Sequence, residues 1–225
     1  MEPNPQGMNW LLQFFNKGGI FMYVLALCSV IGVAVIVLRL LGLRRDLAVP
    51  PSLRSEIERM QPEGTNPLGP LAALLMGDRS PLGRIVRVAL KHMDVVRSEN
   101  QDAVQAAARR EVVRLEQGLF ILEIMVGISP LLGLLGAVSG LVKVFGAFGD
   151  AAGQSDPHTI AAGISEALST TVVGLAIAIP CLVAYSYFVR KVETIASELE
   201  SLVSLLLTKC YQHKQIRQNE AAARQ

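Results

Sequence analysis

Residues 167–189 carry no charged side chain. At ~1.5 Å rise per residue, a helix of that length crosses a hydrocarbon core of ~30 Å. Two further apolar runs, Gly18–Leu38 and Ile124–Val142, reach the same range. Inside lipid a backbone must satisfy its own hydrogen bonds, so each run is expected to be a helix. Composition adds the aqueous part: 51% of residues are hydrophobic but 18% are charged, with a mean hydropathy of +0.41. The expected fold is an all-α membrane protein. It has three transmembrane helices, and spans two and three extend as long helices into a cytoplasmic helical region.

The chain then divides as follows. Residues 1–17 form a short segment whose NWLLQFFN stretch, Asn9–Asn16, suits a membrane surface. It lacks a basic leader and a small-residue cleavage site, so residues 18–38 are read as an uncleaved first span. Residues 39–117 are polar. Pro50, Pro51, Pro62, Pro67, Pro70 and Pro81 break the early part into short helices, of which Leu71–Met76 is one, and Leu82–Val96 has a helical face. From Ser98 the apolar positions Val104, Ala107, Ala108, Val112, Leu115 and Leu119 recur at helical spacing. No Gly or Pro cluster intervenes before span two (118–142), so one unbroken helix is expected, kinked at Pro130. A glycine-bearing connector (143–165) leads to span three (166–189). A tail helix (190–225) follows, with Val192, Ile195, Ala196, Leu199, Leu202, Val203 and Leu206 on one stripe and a frayed end.

Of 21 lysines and arginines, 13 lie between Arg39 and Arg114 and 6 lie from Arg190 onward, leaving Lys17 and Lys143. Such asymmetry places the 39–117 region and the C-terminus in the cytoplasm and the N-terminus outside. Acidic residues are interspersed with these cations, which argues against a nucleic-acid face.

Soluble-enzyme chemistry finds no support. His92, His158 and His213 are scattered, no HExxH or paired cysteine spacing exists, and there is no GxxxxGK[ST] phosphate cradle. Cys28, Cys181 and Cys210 form no CxxC pair and read as small buried hydrophobes. The informative polar residues are in the spans. Glu166 opens span three, followed by Ser169, Thr170 and Thr171. Glu166, Thr170 and Gly174 share one stripe, while Thr171 lies ~140° away at ~100° per residue. One hydroxyl in a span commonly bonds its own i−4 carbonyl. A carboxylate with three hydroxyls at one level suits a proton or small-cation route. Across span two, Gly133, Gly136, Ala137 and Gly140 leave one side almost bare. That side suits close helix packing, the smooth wall of a filled space, or both. Glu123 is expected to pair with an interfacial arginine.

Two blocks carry a family resemblance. REVVRLEQGLFILEIMVGISPLLGLLGAVSGL (Arg110–Leu141) and GISEALSTTVVGLAIAIPCLVAYSYF (Gly163–Phe188) resemble the second and third spans of the MotA/TolQ/ExbB proton-channel family, most closely its ExbB/TolQ branch. The resemblance implies a homopentamer in the bacterial inner membrane. Spans two and three line a pore holding ExbD/TolR-like single-span partners, each with a membrane aspartate. Proton flow would drive work at the envelope through a TonB-like or Tol-Pal-like protein, with no cofactor and no enzymatic step. It assigns the proton pathway to Glu166 and Thr171, with Thr170 beside them. The pore wall falls to Gly133, Gly136, Ala137, Gly140 and Gly174. One departure is Ala137, where the family usually has a threonine; Ser139 points to another face. The alternative is a non-conducting membrane scaffold that assembles a partner complex. A small-solute transporter would show inverted repeats or broken helices, and three spans show neither.

Overall fold

The computed structural model describes residues 19–63, 68–150 and 157–223; the side chains of residues 147–150, 157, 159 and 166 are not described. The expected surface segment Asn9–Asn16 and the connector residues 151–156 lie outside it. The described chain is helical throughout its regular structure. The helices are α1 (Gly19–Gly42), α2 (Arg45–Ala48), α3 (Pro51–Arg59), α4 (Gly69–Leu75), α5 (Pro81–Lys91), α6 (Arg97–Glu116), α7 (Leu119–Asp150) and α8 (Pro157–Ala222). Two compact units are built from them. One comprises residues 1–39 and 118–187, the other residues 40–117 and 188–225.

The first unit contains α1, α7 and the first part of α8. These are the three helices long and apolar enough to cross a membrane. Its packing is the reverse of a soluble protein's. The buried stripes are lined largely by small groups: Cys28 and Gly32 on α1, Gly133, Gly136, Ala137 and Gly140 on α7, and Ala167, Gly174, Ala178 and Cys181 on α8. Large side chains point outward, among them Leu27, Val33, Leu131, Val138, Val172 and Ile179. Without a hydrophobic drive between helices in lipid, small residues that allow close approach supply the contact. Pro130 and Pro180 sit within α7 and α8, and neither ends its helix.

The second unit has an ordinary apolar core. Leu53, Ile57, Leu71, Leu82, Ile85, Ile195, Leu199 and Leu206 are fully or almost fully buried. Its part of α8 buries the stripe Val192, Ile195, Leu199, Leu202, Val203 and Leu206, as the spacing predicts. Helix α5 starts on Ser80, whose hydroxyl accepts from Gly83 N at 3.0 Å, with Pro81 at the first helical position. It packs on α6. Lys209 Nζ donates to the Ile57 and Glu58 carbonyls at 2.9 and 2.7 Å, at the C-terminal end of α3.

One expectation is corrected. The helix expected to run unbroken from Ser98 into span two is interrupted: α6 stops at Glu116, Gln117 turns extended at ψ 131°, and Gly118 takes φ +83°. A left-handed φ carries no steric penalty for glycine alone. A Cβ there would also stand 3.0 Å from the Arg39 guanidinium. Similarly, the 82–96 segment is helical only to Lys91, after which His92 caps α5 and a turn precedes α6.

Candidate functional site: the seam between spans two and three

The site lies within the first unit, where α7 and α8 run against each other. Adding a Cβ at each glycine reveals the register. At Gly140 it would meet Ala167 Cβ at 3.1 Å, and at Gly136 Thr170 Oγ1 at 2.8 Å. At Gly133 it would meet Thr170 O at 2.8 Å and Thr171 Cα at 3.1 Å, and at Gly174 Ser129 O at 2.6 Å. Positions falling along α7 pair with positions rising along α8, so the helices are antiparallel. Most of these obstacles are backbone atoms, and no side chain fits between them. Gly133, Gly136, Gly140 and Gly174 are all buried in the seam, and Ala137 beside them on α7 is buried as well. Of the two uses the sequence leaves open for this face, close packing is the one made within the single chain.

Hydroxyls converge at the centre of the seam. Thr170 is 1% exposed, and its Oγ1 donates to Ala167 O at 2.8 Å and lies 3.1 Å from Gly133 O. Thr171 is half-buried, and its Oγ1 donates to the same Gly133 carbonyl at 3.3 Å. Two adjacent threonines, ~100° apart around their helix, thus address one acceptor on the neighbouring span. Ser169 behaves differently: it bonds its own helix at Ser165 O, 2.7 Å away, as hydroxyls in spans commonly do. Glu166 lies in α8 one turn before Thr170, on the side leading to the 151–156 connector; its side chain is outside the described residues.

Other expected participants stand apart. Glu123 is exposed and makes no ion pair among the described residues, contrary to the expected arginine partner. Cys28, Cys181 and Cys210 are free thiols, all buried. Among the described residues no His, Cys, Asp or Glu cluster has the makings of a metal site.

A residue that sequence reasoning passed over belongs here. Ser129 on α7 is 0% exposed, its carbonyl oxygen abuts Gly174, and its hydroxyl has no hydrogen-bond partner among the described residues. The signal was present in the Ser129–Pro130 pair. A serine lying in an apolar run reads as a self-bonded hydroxyl until the structure shows that it is not.

Comparison with known proteins agrees with this architecture. The model of the MotA/TolQ/ExbB proton channel family matches residues 78–201. A putative biopolymer transport protein ExbB homolog of Methanothermobacter thermautotrophicus is 31% identical over 203 residues, covering 89% of this chain and 70% of the relative. The biopolymer transport protein exbB1 of Vibrio cholerae is 30% identical over 176 residues, covering 78% of this chain and 77% of the relative. The Tol-Pal system protein TolQ of Haemophilus influenzae is 30% identical over 136 residues, covering 56% and 59%. The chain belongs to the MotA/TolQ/ExbB proton channel family, on its ExbB/TolQ side.

Proposed function

We propose that this member of the family is the channel-forming stator subunit of an ExbB–ExbD-like or TolQ–TolR-like inner-membrane motor. It couples the proton-motive force to work at the cell envelope. The observation that carries the reading is the meeting of Thr170 and Thr171 at the Gly133 carbonyl, one helical turn from Glu166. Polar groups are costly in a span unless they serve a partner or a route. A carboxylate one turn from a hydroxyl that shares a carbonyl supplies successive sites for a proton or its water. Thr171, half-buried at the edge of the seam, is the hydroxyl open to that route; Thr170 is enclosed and positions it. Gly133, Gly136, Ala137, Gly140 and Gly174 contribute to the pore wall by holding spans two and three at backbone contact.

In this reading copies of the chain form a ring, a homopentamer by family likeness. Single-span ExbD/TolR-like partners occupy its centre and bring an acidic group to the level of Glu166. A TonB-like or Tol-Pal-like envelope protein receives the work. The arginine-rich 39–117 segment and the C-terminal helix are cytoplasmic, and the N-terminus is periplasmic.

Glu166→Gln and Thr171→Ala are expected to leave assembly with the partner intact and to remove gradient-dependent work in cells. Wild-type work in both variants overturns the reading. The second reading, a non-conducting scaffold, is favoured by Ala137, which is buried and carries no hydroxyl. Absence of proton flux into liposomes containing chain and partner, with assembly preserved, selects it.

A further inference from the structure

We propose that Ser129 binds a water molecule that carries the polar line of the seam one turn further toward the cytoplasmic end of span two; this rests on the proton-route reading of Thr170 and Thr171. Three observations lead there. The Ser129 hydroxyl is enclosed and has no partner among the described residues, so it does not take the i−4 carbonyl that a helical serine usually takes. A buried hydroxyl left in that condition carries its full desolvation penalty, which ordered water commonly relieves. Pro130, the next residue, has no N–H to give to the Val126 carbonyl. An acceptor deprived of its helical donor therefore lies three residues before an unsatisfied hydroxyl on the same helix. Finally, Ser129 lies on the seam itself. Its own carbonyl blocks any Cβ at Gly174, and Gly133, whose carbonyl takes the Thr171 hydroxyl and lies 3.1 Å from that of Thr170, is one turn along.

The chemistry asked of the site is modest. Ser129 remains a neutral hydroxyl throughout. It donates a hydrogen bond to the water or accepts one from it, and the water's other contact is the Val126 carbonyl. A proton passing from the threonine level moves along water, with the serine oxygen holding one molecule in place. Ala137, on the same face of α7, has no hydroxyl to offer.

The test uses the full-length chain with its single-span partner in liposomes, read by a pH-sensitive dye after an acid pulse. Ser129→Ala is expected to lower flux about tenfold, the rate equivalent of one lost hydrogen bond. Its thermal midpoint is expected to change little, because the hydroxyl and the water it holds are lost together. Ser129→Thr is expected to keep flux within about twofold. Hydration is read separately through Ser129→Cys and a small water-soluble methanethiosulfonate, with the modified peptide located by mass spectrometry. The introduced thiol should be labelled in the folded complex while Cys28 and Cys181 are spared. Wild-type flux in Ser129→Ala where Glu166→Gln abolishes it, or an introduced thiol as unreactive as Cys28, overturns the proposal. Wild-type flux in Glu166→Gln instead overturns the proton-route reading, and the labelling result alone then decides the water site.

Discussion

Gly133 and Gly174 meet backbone to backbone: a carbon added to Gly174 would stand 3.1 Å from Gly133 Cα, and one added to Gly133 would stand 3.3 Å from Gly174 Cα. The first obstacle at Gly174 is the Ser129 carbonyl, at 2.6 Å. Neither neighbour is the loose end of a side chain, so Gly174→Ala must separate the two spans. Overpacking of this kind costs about 1–3 kcal/mol. The expected result is a clear fall in the thermal midpoint of the purified protein and weakened assembly. Gly127→Ala on the same span as Gly133 meets nothing within 4 Å. It should be neutral or slightly stabilising, since alanine is the better helix former. Equal behaviour of the two variants would contradict the register described for the seam.

Thr170 and Thr171 should separate stability from activity. Thr170→Val removes an enclosed hydroxyl that reaches two carbonyls, at a cost of about 1 kcal/mol for a hydrogen bond between spans. Thr171→Val removes a longer, half-buried bond and should barely move the thermal midpoint while depressing gradient-dependent work. The paired measurement is melting against activity for both variants, and the reverse ranking would count against Thr171 as the hydroxyl open to the route.

In the second unit, Glu111 is a buried carboxylate clamped from both sides. Arg84 meets it with Nε at 2.8 Å from Oε1 and Nη2 against Oε2, and Arg114 adds Nη1 at 2.7 Å from Oε1. The forked contact draws the Arg84 guanidinium above its ordinary value. Lysine keeps the charge but cannot make the two-pronged contact. Arg84→Lys is therefore expected to destabilise by about 1–2 kcal/mol, and Glu111→Ala by more, because it leaves two cations facing an emptied pocket. Urea unfolding monitored on the helices of the second unit measures both.

Stability should also depend on pH at both extremes. Arg45 binds Glu198 through two bonds of 2.7 and 2.8 Å, Arg54 adds a third of 2.8 Å, and together they hold the Glu198 carboxyl below the ordinary value of 4.5. A carboxyl depressed on folding stabilises the folded state above its unfolded value. That contribution fades as pH falls through 4.5 toward the lower folded value. Glu198→Gln should flatten this acid limb, seen as hydrogen-exchange protection factors in α2 and α3 that no longer fall on acidification. At the alkaline end, burial pushes the Cys210 thiol up to about 11 from 9.0. The unfolded chain ionises first, so stability should decline as pH rises above 9 and continue to decline toward 11. Cys210→Ala should remove that limb, and Cys210 itself should resist alkylation until the protein unfolds.

The three spans and the apolar stripe of the C-terminal helix were legible because length and period-3.6 spacing depend only on neighbours along the chain. The interruption at Gly118 was not legible, since one glycine in a periodic stretch carries no pattern; its signal is a left-handed φ. Spacing favoured Thr170 and family likeness favoured Thr171. Spacing along one helix could not say how the two would meet span two, because the register between α7 and α8 is a property of two distant segments. Once that register is set, both hydroxyls fall on Gly133. Asn100 is a similar case. Its position in α6 reads as polar surface, yet it is fully buried, with Nδ2 donating to Ala89 O at 3.0 Å and to Tyr211 Oη at 3.2 Å. A partner more than a hundred residues away leaves no trace in local composition.

The sharing of one carbonyl by neighbouring threonines has a mechanical consequence. Rotating span three slightly about its own axis lengthens one of the two contacts and shortens the other, so Gly133 keeps a side-chain donor across the swing. Such a joint resists separation of the helices while opposing their rotation only weakly.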